Sequence, residues 1–275
     1  MPATSAVTSS HRDHYILMRL FSYHIVAILL VTLPHTANPE IFDKNTITAI
    51  GRKIWENEAA GRVDYLTWWN EGESFASLGI GHFIWFPADS DAPFEESFPD
   101  LLRFLKENGE TLPSWLATID ADCPWETREE FFKSFDSLKM RELRYLLQRT
   151  FSLQTTFIIQ KFKKRWQKIL LASQVPGHVA ENYRVIMAEP YGPYVLVDYL
   201  NFKGDGTNPT ERYRDQGWGL LQVLEKMNYS GEQPLQDFAD AATHVLSDRI
   251  SNAPAGRDET RWLKGWLKRI ETYRH

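Results

Sequence analysis

The stretch from Ile47 to Phe86, ITAIGRKIWENEAAGRVDYLTWWNEGESFASLGIGHFIWF, constrains the chain more than any other. It opens with Ile47, Ile50 and Ile54, an apolar stripe at helical spacing. One further step of four along the stripe lands on Glu58, so the pattern sets a carboxyl group at the end of the buried face. Burial disfavours the charged form of an unpaired carboxyl and raises its pKa, which keeps such a group protonated near neutrality. Ala60-Gly61 ends the helix. After a polar turn, FASLGIGHFIWF is rich in β-branched and aromatic residues and carries Gly79 and Gly81. It reads as a short strand that permits close backbone approach.

Two points bear on Glu58. Glu56 lies about 200° from Ile54 around the axis, at ~100° per residue, and is read as solvated. The alternative for Glu58 itself is a helix-terminal carboxylate paired with Arg52 or Arg62, because structural ion pairs also perturb carboxylates.

The stretch resembles the start of a phage-type lysozyme, where a helix ending in a catalytic Glu is followed by a β-hairpin bearing an acidic residue, then Thr and a Gly-Ile-Gly-His turn. Gly79-Ile80-Gly81-His82 matches that turn, Ser77 stands where the Thr would be, and Glu71 lies six residues before Ser77. The resemblance implies a lysozyme-like superfamily fold, mainly α (α+β), with a small β-hairpin lobe at residues 73 to 86 and a larger helical lobe. It implies Glu58 as general acid and Glu71 as second carboxylate, activating or orienting a water with Ser77. The family's Asp and Thr are Glu71 and Ser77 here, and the interval from Glu58 to Glu71 is four residues longer than the family's. These departures bear on the second carboxylate, for which Asp64 and Glu73 compete, more than on the acid.

The chain has 275 residues, 43% hydrophobic and 24% charged, enough for a substantial core. Leu20 to Leu33 is a nearly uncharged apolar run after Arg19, followed by Pro34-His35-Thr36-Ala37. It is short for a membrane span and reads as a secretory signal over residues 1–37, cleaved after Ala37, with Met18 as an alternative start. An uncleaved anchor is the alternative, since His35 stands where a small residue is expected. The expected domain is residues 38–275, monomeric, periplasmic or secreted in a bacterium, and not stably inserted in a membrane after cleavage. Cys123 is the only cysteine, so no intrachain disulfide forms. The formal charge of −5 becomes about −6 when Arg12, Asp13 and Arg19 leave, which argues against nucleic acid as a partner. An acidic cleft would draw a cationic polysaccharide such as chitosan.

Downstream, helices are expected over Phe98 to Asn108, Trp125 to Phe135, Ser137 to Thr150, Gln154 to Ser173, Pro176 to Ala188, Pro193 to Phe202, Leu235 to Ile250 and Asp258 to Tyr273. In the Gln154 helix, Lys161, Lys163, Lys164 and Arg165 form the expected solvated side. Asp198 and Asn201 interrupt an otherwise apolar segment on one face and need partners in a core or a cleft. In the last helix Leu263, Trp266, Leu267 and Ile270 form the inward stripe, while Lys268 and Arg269 suit the helix dipole. Gly219-Leu220-Leu221-Gln222 at a helix start resembles a Gly-Leu-Met-Gln element of transglycosylases and goose-type lysozymes, which lines their sugar cleft.

Four of the eight histidines fall before residue 38, and the others lack a paired-ligand spacing, so no metal and no cofactor is expected. His82 reads as a structural hydrogen-bonding residue at the base of the hairpin. Trp69, Asn70, His82, Asn201 and Gln222 are the candidate sugar-binding residues. Together these point to a glycosidase acting on a β-1,4-linked aminosugar polymer, most simply peptidoglycan. Chitosanase, lytic transglycosylase using Glu58 alone, and a non-catalytic wall-binding module are the alternatives.

Overall fold

A computed structural model describes residues 42–90, 95–116 and 122–274. The expected leader, its cleavage point and the alternative start lie outside the described residues. Helix α1 spans Lys44–Ala59, capped by Asp43, whose side chain accepts a hydrogen bond from the Thr46 amide at 2.7 Å. It stops where Ala60 and Gly61 turn left-handed, at φ 49° and 66°. Ile50, Ile54 and Ala59 are buried along one face and Glu56 is exposed, as the periodicity predicts.

The long helix α5, numbered here with α2 (Phe98–Glu107), α3 (Arg128–Lys133) and α4 (Leu138–Arg149) before it, spans Phe151–Ala172 and lies against α1. Gly51 permits the contact: a Cβ there would stand 2.1 Å from the Thr155 hydroxyl. Three short strands, β1 (Thr67–Trp68), β2 (Ala76–Leu78) and β3 (Phe83–Trp85), form one antiparallel sheet in that order. Thr67 pairs with Leu78, and Leu78 with Phe83, on the face turned to the core; Trp68, Ser77 and Ile84 share the other face. The hairpin expected over residues 73 to 86 is present as β2 and β3 joined by the Gly79–His82 turn, so FASLGIGHFIWF is two strands and not one, and β1 adds a third.

That turn is gripped from α5. The Gln154 side chain is fully buried and its Oε1 accepts a hydrogen bond from the Ile80 amide at 3.0 Å, while its Nε2 donates to the Leu147 carbonyl at 2.6 Å. Gly79 has φ +70°, and a Cβ on it would meet Gln154 Oε1 at 2.4 Å, so glycine answers both a conformational and a steric demand.

Helix α7 (Gly192–Lys203) follows α6 (Pro176–Met187) and is buried without interruption from Gly192 to Leu200. Apolar around most of its circumference, with Asp198 as its buried charge, it touches α1, α5, α6 and α8 (Leu220–Lys226). Each fully buried Val or Leu in it contributes about 1.5–3 kcal/mol. The chain ends with α9 (Pro234–Asn252) and α10 (Thr260–Glu271), which pack on each other. Arg249 of α9 forks the buried Glu259 carboxylate at 2.7 and 2.9 Å, pinning the start of α10. The fold is mainly α, with one small antiparallel sheet.

Two expectations change at the level of the elements. The helix expected over Trp125 to Phe135 is only Arg128–Lys133, because Thr127 caps it by accepting from the Glu130 amide. Of the basic residues on α5, Lys163 and Lys164 are solvated, but Lys161 and Arg165 lie 3.7 and 2.6 Å from Glu95. No helix among the described residues is long and apolar enough to cross a membrane.

Candidate functional site

Glu58 is the penultimate residue of α1, and its carboxylate is met from three other elements. Oε1 accepts from Arg269 Nη2 of α10 at 2.8 Å and from Asn201 Nδ2 of α7 at 3.4 Å. Oε2 faces His82 Nδ1 of the hairpin turn at 3.3 Å. The Glu58 side chain is 13% exposed. Asn201 also reaches the Gly81 carbonyl at 3.5 Å, so the glycine turn sits down on α7 beside the carboxylate. His82 adopts φ +48°, a left-handed conformation uncommon for a residue with a side chain. Glu58, His82 and Asn201, drawn from three separate parts of the sequence, are brought together.

Behind Glu58 lies Asp198, fully buried in α7. Arg269 forks it, Nε to Oδ2 at 2.9 Å and Nη2 to Oδ1 at 2.8 Å, and Tyr273 donates to Oδ2 at 2.6 Å. Asn57 Nδ2 lies 3.4 Å from both carboxylate oxygens and donates to the Tyr194 hydroxyl at 2.7 Å. The Arg269 guanidinium also rests over the Phe202 ring, 4.2 Å from its centroid. This answers the need of Asp198 for partners: two carboxylates share one buried guanidinium.

The electrostatics follow from this sharing. Burial pushes the Glu58 carboxyl up, but the charges of Arg269 and His82 and the hydrogen bonds from Arg269 and Asn201 outweigh it, so its pKa falls below the ordinary value. The expectation of a proton held in apolar surroundings is therefore corrected: Glu58 is ionised at neutrality. Its partner is Arg269, and neither Arg52 nor Arg62. Burial pulls the His82 pKa down, Glu58 pulls it up and Arg269 down again, and the net shift is downward. His82 Nε2 is buried without a hydrogen-bond partner among the described residues.

The other candidates lie elsewhere or have other tasks. Trp69 is corrected: it is 2% exposed, packs edge-on against Phe131 at 5.8 Å and donates to the Glu73 carbonyl at 2.8 Å, so it is a core residue. Asn70 donates to the Glu73 carboxylate at 3.0 Å and closes its own turn. Ser77 is 3% exposed in β2, while Glu71, Asp64 and Glu73 are exposed. Among the described residues neither Glu71 nor Ser77 bonds to Glu58, His82 or Asn201. Gln222 is corrected too: its Oε1 accepts from the Gly219 amide at 3.0 Å and its Nε2 donates to the Gly206 carbonyl at 3.1 Å. Both ends of that amide clamp the loop before α8, so its first task is structural.

Sequence reasoning missed Arg269, Asn57, Tyr273 and Gln154. Arg269 carries a signal in hindsight, since it stands three residues after Trp266 and next to Ile270 on the inward stripe. It turns into the protein, while its neighbour Lys268 is exposed. No group of three His, Cys, Asp or Glu that could hold a metal occurs among the described residues. The Cys123 thiol is buried and pushed up to about 12, which keeps it un-ionised and inert.

No family model matches the chain, and no curated protein or solved structure does either.

Of the two carboxylates that share Arg269, Glu58 is the more open. Asp198 has no exposure and holds the guanidinium by two bonds, whereas Glu58 has one bond to it and keeps some contact with solvent. Protonating Glu58 costs one charge-assisted hydrogen bond and leaves the fork on Asp198 in place.

Proposed function

We propose that the chain is a glycosidase acting on a β-1,4-linked aminosugar polymer such as peptidoglycan, with a lysozyme-like two-lobed arrangement and Glu58 as the proton donor. The observation that carries this reading is the meeting of Glu58 with the Gly-Ile-Gly-His turn, His82 Nδ1 lying 3.3 Å from the Glu58 carboxylate. The resemblance rests on these two motifs, and their contact is a long-range relation that helical periodicity does not require.

Glu58 donates to the glycosidic oxygen only when it carries a proton, and Arg269 holds that proton off at neutrality. Cleavage is therefore an acid-side activity, rising as pH falls toward the depressed value. Glu71, exposed in the turn before β2, keeps the place of the second carboxylate, beside a water on the far face of the sugar. Asn201 and His82 hold Glu58 in orientation.

The ionised resting state of Glu58 favours one second reading, a wall-binding protein of lysozyme-like shape that binds glycan and does not cut it. Incubation of the protein with purified peptidoglycan and with chitosan at several acidic pH values, with products weighed by mass spectrometry, separates the two. New hydrolysed ends support the enzyme. Bound, uncut glycan supports the binder, and anhydro-sugar ends indicate a lytic transglycosylase.

A further inference from the structure

Helix α5 carries Lys161, Lys163, Lys164, Arg165 and Lys168 and no acidic residue anywhere along its length. Two of these cations are answered from other parts of the chain: Glu95 lies 3.7 Å from Lys161 and 2.6 Å from Arg165, and Asp205 lies 3.8 Å from Arg165. The other three are exposed. Lys163 lies over the Phe42 ring, 5.0 Å from its centroid. Among the described residues Lys163, Lys164 and Lys168 meet no carboxylate within ion-pair distance.

The same face ends in apolar side chains. At ~100° per residue, the three lysines and Leu171 fall within an arc of about 140° around the axis. Leu171 is 87% exposed, and Val175, just past the helix end, is 46% exposed. The packing of α5 shows why Leu171 is left outside: Phe162 and Ile169 are buried on the opposite side, and Trp166 stacks on Tyr183 of α6 with ring centroids 3.9 Å apart. The turn that follows is held in place. Glu225 accepts from the Ser173 hydroxyl at 2.8 Å and from the Gln174 amide at 3.3 Å, and the Val175 amide donates to the Ser173 hydroxyl oxygen at 3.0 Å.

A single exposed leucine is ordinary, but one that continues a stripe of unanswered lysines on a chain of net charge −5 sets this face apart. The acidic remainder of the surface is repelled by an anionic body, so approach is through α5. A dissolved polyanion would satisfy the lysines and leave Leu171 and Val175 in water. A bilayer takes both kinds of group: anionic headgroups meet the ammonium groups, the apolar side chains enter the boundary between headgroups and acyl chains, and the lysine stems lie along it.

We propose that the α5 face formed by Lys163, Lys164, Lys168 and Leu171 docks reversibly on an anionic lipid bilayer. The docking holds whether or not the chain cuts glycan.

The test is co-sedimentation of the full chain with vesicles of phosphatidylcholine alone and of phosphatidylcholine mixed with an equal part of phosphatidylglycerol, with soluble polyphosphate as a separate ligand. Wild type is expected to bind the anionic vesicles at least about tenfold tighter than the neutral ones, a preference that salt weakens. Changing Lys163, Lys164 and Lys168 together to Gln is expected to weaken that binding on the order of a hundredfold, at roughly fivefold for each lysine. Leu171→Gln is expected to weaken vesicle binding roughly three- to tenfold and to leave polyphosphate binding unchanged. The variants leave residues 20–33 untouched, so any pull of that apolar run is common to all of them and cancels. Equal binding of both vesicles by wild type, or undiminished binding by the triple variant, overturns the proposal. Vesicle binding that Leu171→Gln does not weaken overturns it as well, and makes a dissolved polyanion the occupant. Lys264 and Lys268 of α10 are also exposed, and a loss as large on changing both to Gln would make the attraction general and not a property of α5.

Discussion

Arg269 donates to Glu58 at 2.8 Å across a separation of 211 residues, and it does so while forking Asp198 at 2.9 and 2.8 Å. This single guanidinium joins the end of α1 to the middle of α7 and the end of α10. It decides the charge of the carboxylate on which the proposed chemistry depends.

Removing it has two consequences that can be measured apart. In Arg269→Met, Asp198 is left buried with hydrogen bonds from Tyr273 and Asn57 but no counter-charge, a loss of about 3–5 kcal/mol in chemical denaturation. Glu58 loses the charge that lowers its pKa, so the alkaline limb of any cleavage activity moves to higher pH. An unmoved limb in a folded variant separates Glu58 from the titration that governs activity.

Stability depends on pH through His82 and Glu58. His82 has a folded pKa below 6.5, so as pH falls from 6.5 toward that depressed value the unfolded chain takes up a proton that the folded one refuses, and stability falls. Glu58, also depressed, contributes stability that is present above 4.5 and lost as pH falls through its folded value. Denaturant titrations between pH 7 and pH 4 in roughly unit steps, on wild type and His82→Gln, read both effects. The variant is expected to lose the upper part of the slope and keep the lower part; an identical slope in both proteins removes His82 from the account.

Gln154 is the structural support of the glycine turn. Gln154→Met leaves the Ile80 amide buried without an acceptor, at a cost of about 1–3 kcal/mol. Amide exchange at Ile80 should quicken more than that in the middle of α7. Uniform quickening across the chain would show global destabilisation with no special hold on the turn.

Much of this was legible before any coordinates. The apolar run of α7 announced a buried helix, and Asp198 and Asn201 stood out in it because buried polar groups need partners. The resemblance singles out Glu58 and the Gly-Ile-Gly-His turn, and their contact, His82 Nδ1 3.3 Å from the carboxylate, comes from the structure. What was not legible was the partner of each polar group. Periodicity fixes the face of a helix but not what lies opposite, so the sequence relates Arg269 to the helix dipole and not to Glu58 or Asp198. Asn70 and Glu71 make Trp69 look like part of a polar turn, although its own ring is 2% exposed against Phe131. The two-residue strand β1 is too short to show alternation.

The most direct measurement is the release of new reducing ends from peptidoglycan by wild type, Glu58→Gln and Glu56→Gln, at pH values spanning the depressed titration of Glu58. Wild type and Glu56→Gln are expected to cut at similar rates that rise toward acid. Glu58→Gln, folded and still able to bind glycan, is expected to release none. Equal loss in both variants, or full activity in Glu58→Gln, would contradict the role of Glu58 as the proton donor.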